Sequence, residues 1–260
     1  MADKYAESYA TAKPFPHVII DNFLPEHILE EVLKEFPQPG SIDWKSFSNK
    51  SEKKLASKQE LQMGEATRLV LYQLNSSTFV DFLEKLTGID GIISDPHFVG
   101  GGLHQIQPGG YLKLHADFNR HTRLKLDRRL NLLLYLNKDW EEEYGGYLQL
   151  WDTDMTRCEQ KILPIFNRCV VFSTTDFSYH GHPDPLTCPE DRTRKSLALY
   201  YYSNGRPPEE VSGGHSTLFK ARAGEEIEDT NASKDSTVQK VLQKLIPPIL
   251  FDAKKLLLKK

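Results

Sequence analysis

Apolar positions along the chain change their rhythm from one half to the other. Residues 15–20 read FPHVII, a short β-prone run, and behind Pro25 the residues Ile28, Leu29, Val32, Leu33 and Phe36 recur at three- and four-residue spacing. That pattern predicts a strand leading into an amphipathic helix. From about Ser41 to Gln62, Lys, Ser and Glu dominate without apolar periodicity, so this stretch reads as a mobile excursion outside the core, of the kind that often covers an active site. Helical spacing returns between Glu65 and Leu86, with Leu69, Leu71, Leu74, Phe79, Phe82, Leu83 and Leu86 on the expected apolar faces.

The second half is organised differently. GGLHQIQ, GYLKLHAD, LNLLLYLN, GYLQLWD, CVVFST and KSLALYYYS are short β-prone runs separated by Gly, Pro, Asn and Asp turns. Many short strands in series, with helices ahead of them to cover the sheet, predict a mainly β fold with α elements, a jelly-roll or barrel. After about Gly214 a polar hinge, GEEIEDTNASKDST, precedes TVQKVLQKLIPPILFDAKKLLLKK, a basic tail of helical periodicity interrupted by Pro247 and Pro248. A packing role is expected for its apolar stripe.

Composition narrows the function classes. The chain has 260 residues, 39% hydrophobic and 27% charged, which suits one elaborated globular domain. A formal net charge of −3 gives no basic field for a phosphate backbone, so no nucleic-acid partner is expected. Three cysteines, Cys158, Cys169 and Cys188, form no CxxC pair, which fits neither a disulfide framework nor a cysteine zinc site and points to a reducing cytoplasm. No secretory leader is read at the N-terminus, and nowhere do eighteen apolar residues follow one another, so neither secretion nor a transmembrane segment is expected.

The chemistry concentrates in YLKLHADF. His115 and Asp117 stand two apart at the end of an alternating strand, so an imidazole and a carboxylate project to the same face. With a second histidine they would complete a facial set that leaves half of an octahedron open, which suits non-haem Fe(II). The third ligand must come from elsewhere. SYHGHPDP follows the strong strand VVFST, and it offers both His180 and His182, between which spacing alone does not choose. A keto-acid co-substrate would also need a cation for its far carboxylate, and the fork of Arg194, at the start of RKSLALYYYS, is the candidate.

Taken together, HADF, RRLNLLLYLNKDW, GGYLQLWD, FNRCVVFSTTDFSYHGH and RKSLALYYY resemble the catalytic domain of 2-oxoglutarate-dependent, prolyl 4-hydroxylase-like Fe(II) oxygenases, over roughly Phe98 to Ser203. The resemblance implies a double-stranded β-helix, a jelly-roll variant, and an α+β organisation in three parts. These are an N-terminal strand-helix support region (1–97), the catalytic core (98–215), and the hinge with its basic tail (216–260). It implies His115, Asp117 and His180 as iron ligands, with His182 at a position that is commonly aliphatic in the family. It also pairs Tyr135, from the YLN triplet, with Arg194 at the 2-oxoglutarate carboxylate, and sets Asn131 beside them on the same strand face. One departure is the insertion DPLTCPEDRT between His180 and Arg194, which is expected to form a lid or to move the arginine, with Arg192 as its substitute.

The implied activity is hydroxylation of a C–H bond, with dioxygen and 2-oxoglutarate consumed and L-ascorbate restoring the iron. The expected substrate is a prolyl or other protein residue; a free amino acid or small metabolite is the alternative. A non-catalytic β-helix binding module with a degenerate metal site and a zinc hydrolase on the same ligands are the rival classes.

Overall fold

The computed structural model describes residues 1–227, and the rest of the basic tail lies outside the described residues. Helix α1 (Ala2–Thr11) precedes strand β1 (His17–Ile20) and helix α2 (Glu26–Glu35). A hairpin of β2 (Lys45–Ser48) and β3 (Glu52–Ala56) leads to helices α3 (Glu65–Leu74) and α4 (Ser77–Thr87). The strands β4 (Ile93–Ser94), β5 (Gly102–Ile106), β6 (Tyr111–Ala116), β7 (Asp127–Tyr135) and β8 (Leu148–Trp151) follow. They continue as β9 (Cys158–Ile162), β10 (Cys169–Ser173), β11 (His180–His182), β12 (Arg194–Ser203) and β13 (Leu218–Phe219).

Among the described residues these strands join in one antiparallel sheet, ordered β1-β10-β7-β12-β5-β3-β6-β11-β8-β9. From β5 onward the chain shuttles between its two ends: β5, β7, β10 and β12 lie on one side, β6, β8 and β11 on the other. This alternation is the double-stranded β-helix, in which residues two apart on each strand face the interior.

Strand β7 shows why the element reads as a nearly unbroken apolar run. Leu130, Leu132 and Leu134 belong to the core beneath the helices, with Leu29 and Val32 of α2, Val70, Leu71 and Leu74 of α3, and Leu83 and Leu86 of α4. On the opposite face Leu133 and Tyr135 join Phe172, Leu148 and Leu150 in a second cluster inside the β-helix. Both faces are covered, so polar alternation disappears. Each buried leucine contributes roughly 1.5–3 kcal/mol of transfer free energy. Helix α4 is delimited locally: the Ser76 hydroxyl accepts from the Phe79 amide, and Gly88 closes the other end with φ +70°.

Three expectations change. The stretch from Ser41 to Gln62 is not an excursion outside the fold, because β3 pairs with β5 (Leu55↔Gln105) and with β6 (Glu52↔Leu112), bridging the two sides. Its side chains are polar because β2 is exposed, a common treatment of sheet edges, while the backbone is satisfied by the ladder. Helix α3 turns Val70 inward and leaves Leu69 56% exposed. Within the stretch expected to open the polar hinge, Leu218 and Phe219 form β13 on β6. All three cysteines are free, and no helix among the described residues is long and apolar enough to cross a membrane.

Candidate functional site

Strand β6 carries His115, with Asp117 directly after its end, and β11 runs antiparallel to it with His180 opposite His115. The close approach needs Gly181: a Cβ there would meet the Leu112 and Lys113 carbonyl oxygens at 2.7 and 2.8 Å. As a result the two imidazole centroids lie 4.5 Å apart. His115 Nε2 stands 3.6 Å from one Asp117 oxygen and His180 Nε2 3.3 Å from the other. Ligand atoms of the three residues all fall within 4.8 Å of one another.

Backbone carbonyls fix which ring nitrogens face this point. His115 Nδ1 lies 2.8 Å from the Lys113 carbonyl oxygen and His180 Nδ1 2.8 Å from that of Ser178. A carbonyl only accepts, so each Nδ1 carries the hydrogen and each neutral Nε2 presents a lone pair inward. Two imidazole lone pairs and a carboxylate thus converge, a donor set that fits a divalent cation.

The charges agree with that reading. Burial, and then the neighbouring His180, hold His115 below the ordinary histidine pKa. Burial opposes the Asp117 charge, but Arg128, and then the two histidines, outweigh it and hold the carboxyl well below the carboxylate range. Arg128 Nη2 lies 3.1 Å from Asp117 and also donates to Asn131 Oδ1 at 2.6 Å, while Asn131 Nδ2 donates to Asp117 at 2.7 Å. The guanidinium is clamped over the Tyr200 ring, 3.5 Å from its centroid. Asn131, expected beside Tyr135 at the keto acid, therefore has its amide engaged with Asp117.

A second feature opens into the same cavity. Arg194, at the start of β12, is 5% exposed. Its Nε donates to the Gly146 carbonyl at 2.8 Å and its Nη2 to the Tyr135 hydroxyl at 3.3 Å. Among the described residues no carboxylate pairs with it, and burial lowers its pKa, with Tyr135 partly opposing. A buried guanidinium without a counter-anion is costly unless a ligand supplies one. His115, Asp117, His180, His182 and Arg194 line one cavity. These residues would suit a divalent cation at the His115, Asp117 and His180 donors and a carboxylate-bearing ligand at Arg194.

The insertion before Arg194 packs into the body of the domain. Leu186 and Cys188 are buried with Ile106 and Trp140, and the Leu186 backbone bonds to Gly109 and Gly110. Arg192 points elsewhere, donating to the carbonyls of Lys138 and Asp139. His182 lies outside the three-ligand group, although it stands two residues from His180.

Outside the metal point a cleft of about 520 Å³ opens to the surface, lined by Phe47, Phe98, Phe118, Tyr200 and Phe219 and by Lys45, Lys54 and Lys58. Its Lys45, Phe47 and Lys54 come from the hairpin β2–β3. Phe219 arrives from β13, where it pairs with His115 in the sheet and lies 5.5 Å from it ring to ring.

Comparison with known proteins agrees with this geometry. Residues 101–202 match the family model of the 2OG-Fe(II) oxygenase superfamily. Over this segment the chain is similar to that superfamily. The matched segment spans β6, β7 and β11, and so holds His115, Asp117, Tyr135, His180 and Arg194. The family implies Fe(II) and 2-oxoglutarate. Over 203 residues, 75% of its length, the chain is 28% identical to the prolyl 3-hydroxylase OGFOD1 of Mus musculus and covers 34% of that protein. It thus spans about a third of the length of that curated relative.

Among solved structures the fold is shared with a Pseudomonas putida prolyl-4-hydroxylase, at TM-score 0.58 and 18% identity, covering 79% of this chain and 100% of that one. It is also shared with a Trichoplax adhaerens prolyl hydroxylase in complex with a hypoxia inducible factor peptide fragment, at TM-score 0.53 and 19% identity. That match covers 78% of this chain and 89% of that one.

Arg128, the hairpin lysines and Phe219 went unassigned in the sequence. For Arg128 the signal was within LDRRLN, but a register shift between Tyr201 and Tyr202 pairs those residues with Leu130 and Arg128 and breaks the alternation that would have revealed its inward face.

Proposed function

We propose that this chain is an Fe(II)- and 2-oxoglutarate-dependent dioxygenase that hydroxylates a C–H bond of a prolyl or other protein residue. The observation that carries the reading is the single cavity joining the His115, Asp117 and His180 donors to Arg194, a buried cation lacking an anion. When bound, iron and 2-oxoglutarate supply the oxidising power: with dioxygen they yield succinate, carbon dioxide and one oxygen atom for the substrate.

The residues of the chain hold and orient. His115, Asp117 and His180 hold the metal from one side, their inward lone pairs fixed by the Lys113 and Ser178 carbonyls. Arg128 and Asn131 keep Asp117 ionised and aimed. Arg194 and Tyr135 hold the far carboxylate of the keto acid. The aromatic lining of the cleft places an apolar ring or side chain near the metal and limits water, so the task of the protein is positioning.

An open cleft with lysines on its rim supports a polypeptide substrate over a small metabolite. The names of the relatives, prolyl hydroxylases, point to proline. A reducing cytosol, where Cys158, Cys169 and Cys188 stay thiols, suits the reading.

The test is succinate release by the purified chain given Fe(II), 2-oxoglutarate, dioxygen and L-ascorbate. Mass spectrometry of added protein extract then looks for a keto-acid-dependent gain of one oxygen. His115→Ala abolishes both signals. Equal succinate release by variant and parent overturns the site, and loss of iron in His182→Ala but not His180→Ala overturns the ligand set. Oxygen gained only by free amino acids or metabolites moves the substrate class.

A further inference from the structure

His182 is the histidine that the metal point does not use, and its surroundings call for a partner. It is 3% exposed, on the same short strand as His180. Both of its ring nitrogens are buried without a hydrogen-bond partner, which among the described residues is true of no other side chain with two polar atoms. An imidazole always carries at least one N–H, so a donor points into a space where the protein offers no acceptor. Buried polar groups of this kind are rarely left unmade unless a ligand or water completes them.

Its location identifies the acceptor. His182 lines the cavity that holds Arg194 and Lys54. The register of β11 separates the two histidines: His180 pairs with His115, His182 with Leu112, and an irregularity lies between them. One histidine thereby turns to the metal point and the other lies apart from it, in a cavity that also holds a cation without a carboxylate.

We infer that His182 donates a hydrogen bond to the carboxylate that Arg194 and Tyr135 hold, giving the keto acid a third point of attachment at its far end. The inference rests on the proposed use of 2-oxoglutarate. It assigns this chain a polar grip at a position that the resemblance makes aliphatic, and it makes His182 a determinant of affinity for a dicarboxylic keto acid.

The experiment is calorimetric titration, without dioxygen, of 2-oxoglutarate and of 2-oxopentanoate, which lacks the far carboxylate, into the Fe(II)-loaded chain. His182→Val is expected to weaken 2-oxoglutarate about ten- to hundredfold, the range for a hydrogen bond to a charged group. It should leave 2-oxopentanoate unchanged, and His182→Gln, which keeps an N–H, should recover most of the loss. If His182→Val does not fold, His182→Met makes the same comparison. Unchanged 2-oxoglutarate affinity overturns the inference, with water then completing the ring, and so does an equal loss for both acids. Failure of the parent chain to bind 2-oxoglutarate overturns the functional reading itself. Loss in Arg194→Ala without loss in His182→Val leaves that reading standing and removes only this one.

Discussion

Arg194 donates its Nε hydrogen to the carbonyl oxygen of Gly146 at 2.8 Å, so the β7–β8 connection sets the direction of the guanidinium. Gly146 has φ +71°, and a Cβ there would lie 2.7 Å from Leu186 Cδ2 and 2.9 Å from Arg194 Cδ. Both the backbone conformation and the space require glycine. Gly146→Ala is therefore expected to displace Arg194 and weaken 2-oxoglutarate binding by about tenfold or more while iron retention persists. Calorimetry against metal analysis separates the two; parallel loss of both would indicate general collapse instead.

Arg128 is 1% exposed and is the nearest cation to Asp117. It holds the Asp117 carboxyl below its ordinary pKa, so Asp117 stays ionised into acid. In Arg128→Leu that support is gone while the burial remains, and the carboxyl protonates at a higher pH. Metal release on acidification should then begin at higher pH than in the parent, with affinity at neutral pH about ten- to hundredfold lower because Asn131 also loses its anchor. An unchanged release profile would show that Arg128 serves packing over Tyr200 alone.

The sequence carries the β-helix strands and the His115/Asp117 pair plainly, because a two-residue period on one strand is enough to bring side chains together. It is silent wherever that period breaks. The irregularity between His180 and His182 and the register shift opposite Arg128 both move side chains off the face that counting assigns. The hairpin also escapes detection: β2 is an exposed edge strand and β3, though paired on both sides, is polar where it meets water and the cleft, so their pattern matches a loop. Helix α1 was hidden for a related reason, since only Ala2 and Tyr9 of it are buried.

Asp21 and Arg168 tie the end of β1 to the turn before β10 through two bonds, of 2.6 and 2.9 Å. The Arg168 hydrogen bonds lower the Asp21 pKa against the opposing effect of burial. A depressed carboxylate stabilises the fold above its unfolded pKa, and the contribution fades as pH falls through the lower folded value. The Asp21 side chain is half exposed, so less than about 1 kcal/mol is expected at neutral pH. Urea unfolding of Asp21→Asn and the parent should differ slightly at pH 7 and converge in acid; a gap that widens in acid contradicts the assignment.

Gly181 controls the distance between the strands that carry His115 and His180. The atoms facing its missing side chain are the backbone oxygens of Leu112 and Lys113, which cannot rotate aside as a side chain could. Gly181→Ala must therefore move β11 away from β6, at a cost of about 1–3 kcal/mol in stability. The larger effect falls on the site, because His180 is held opposite His115 by that pairing and the three donors close only within 4.8 Å. Iron affinity is expected to fall at least about tenfold. Metal analysis after dialysis, beside thermal unfolding, checks both parts, and a variant that unfolds earlier yet keeps its iron would show that β6 and β11 do not set the spacing of the donors.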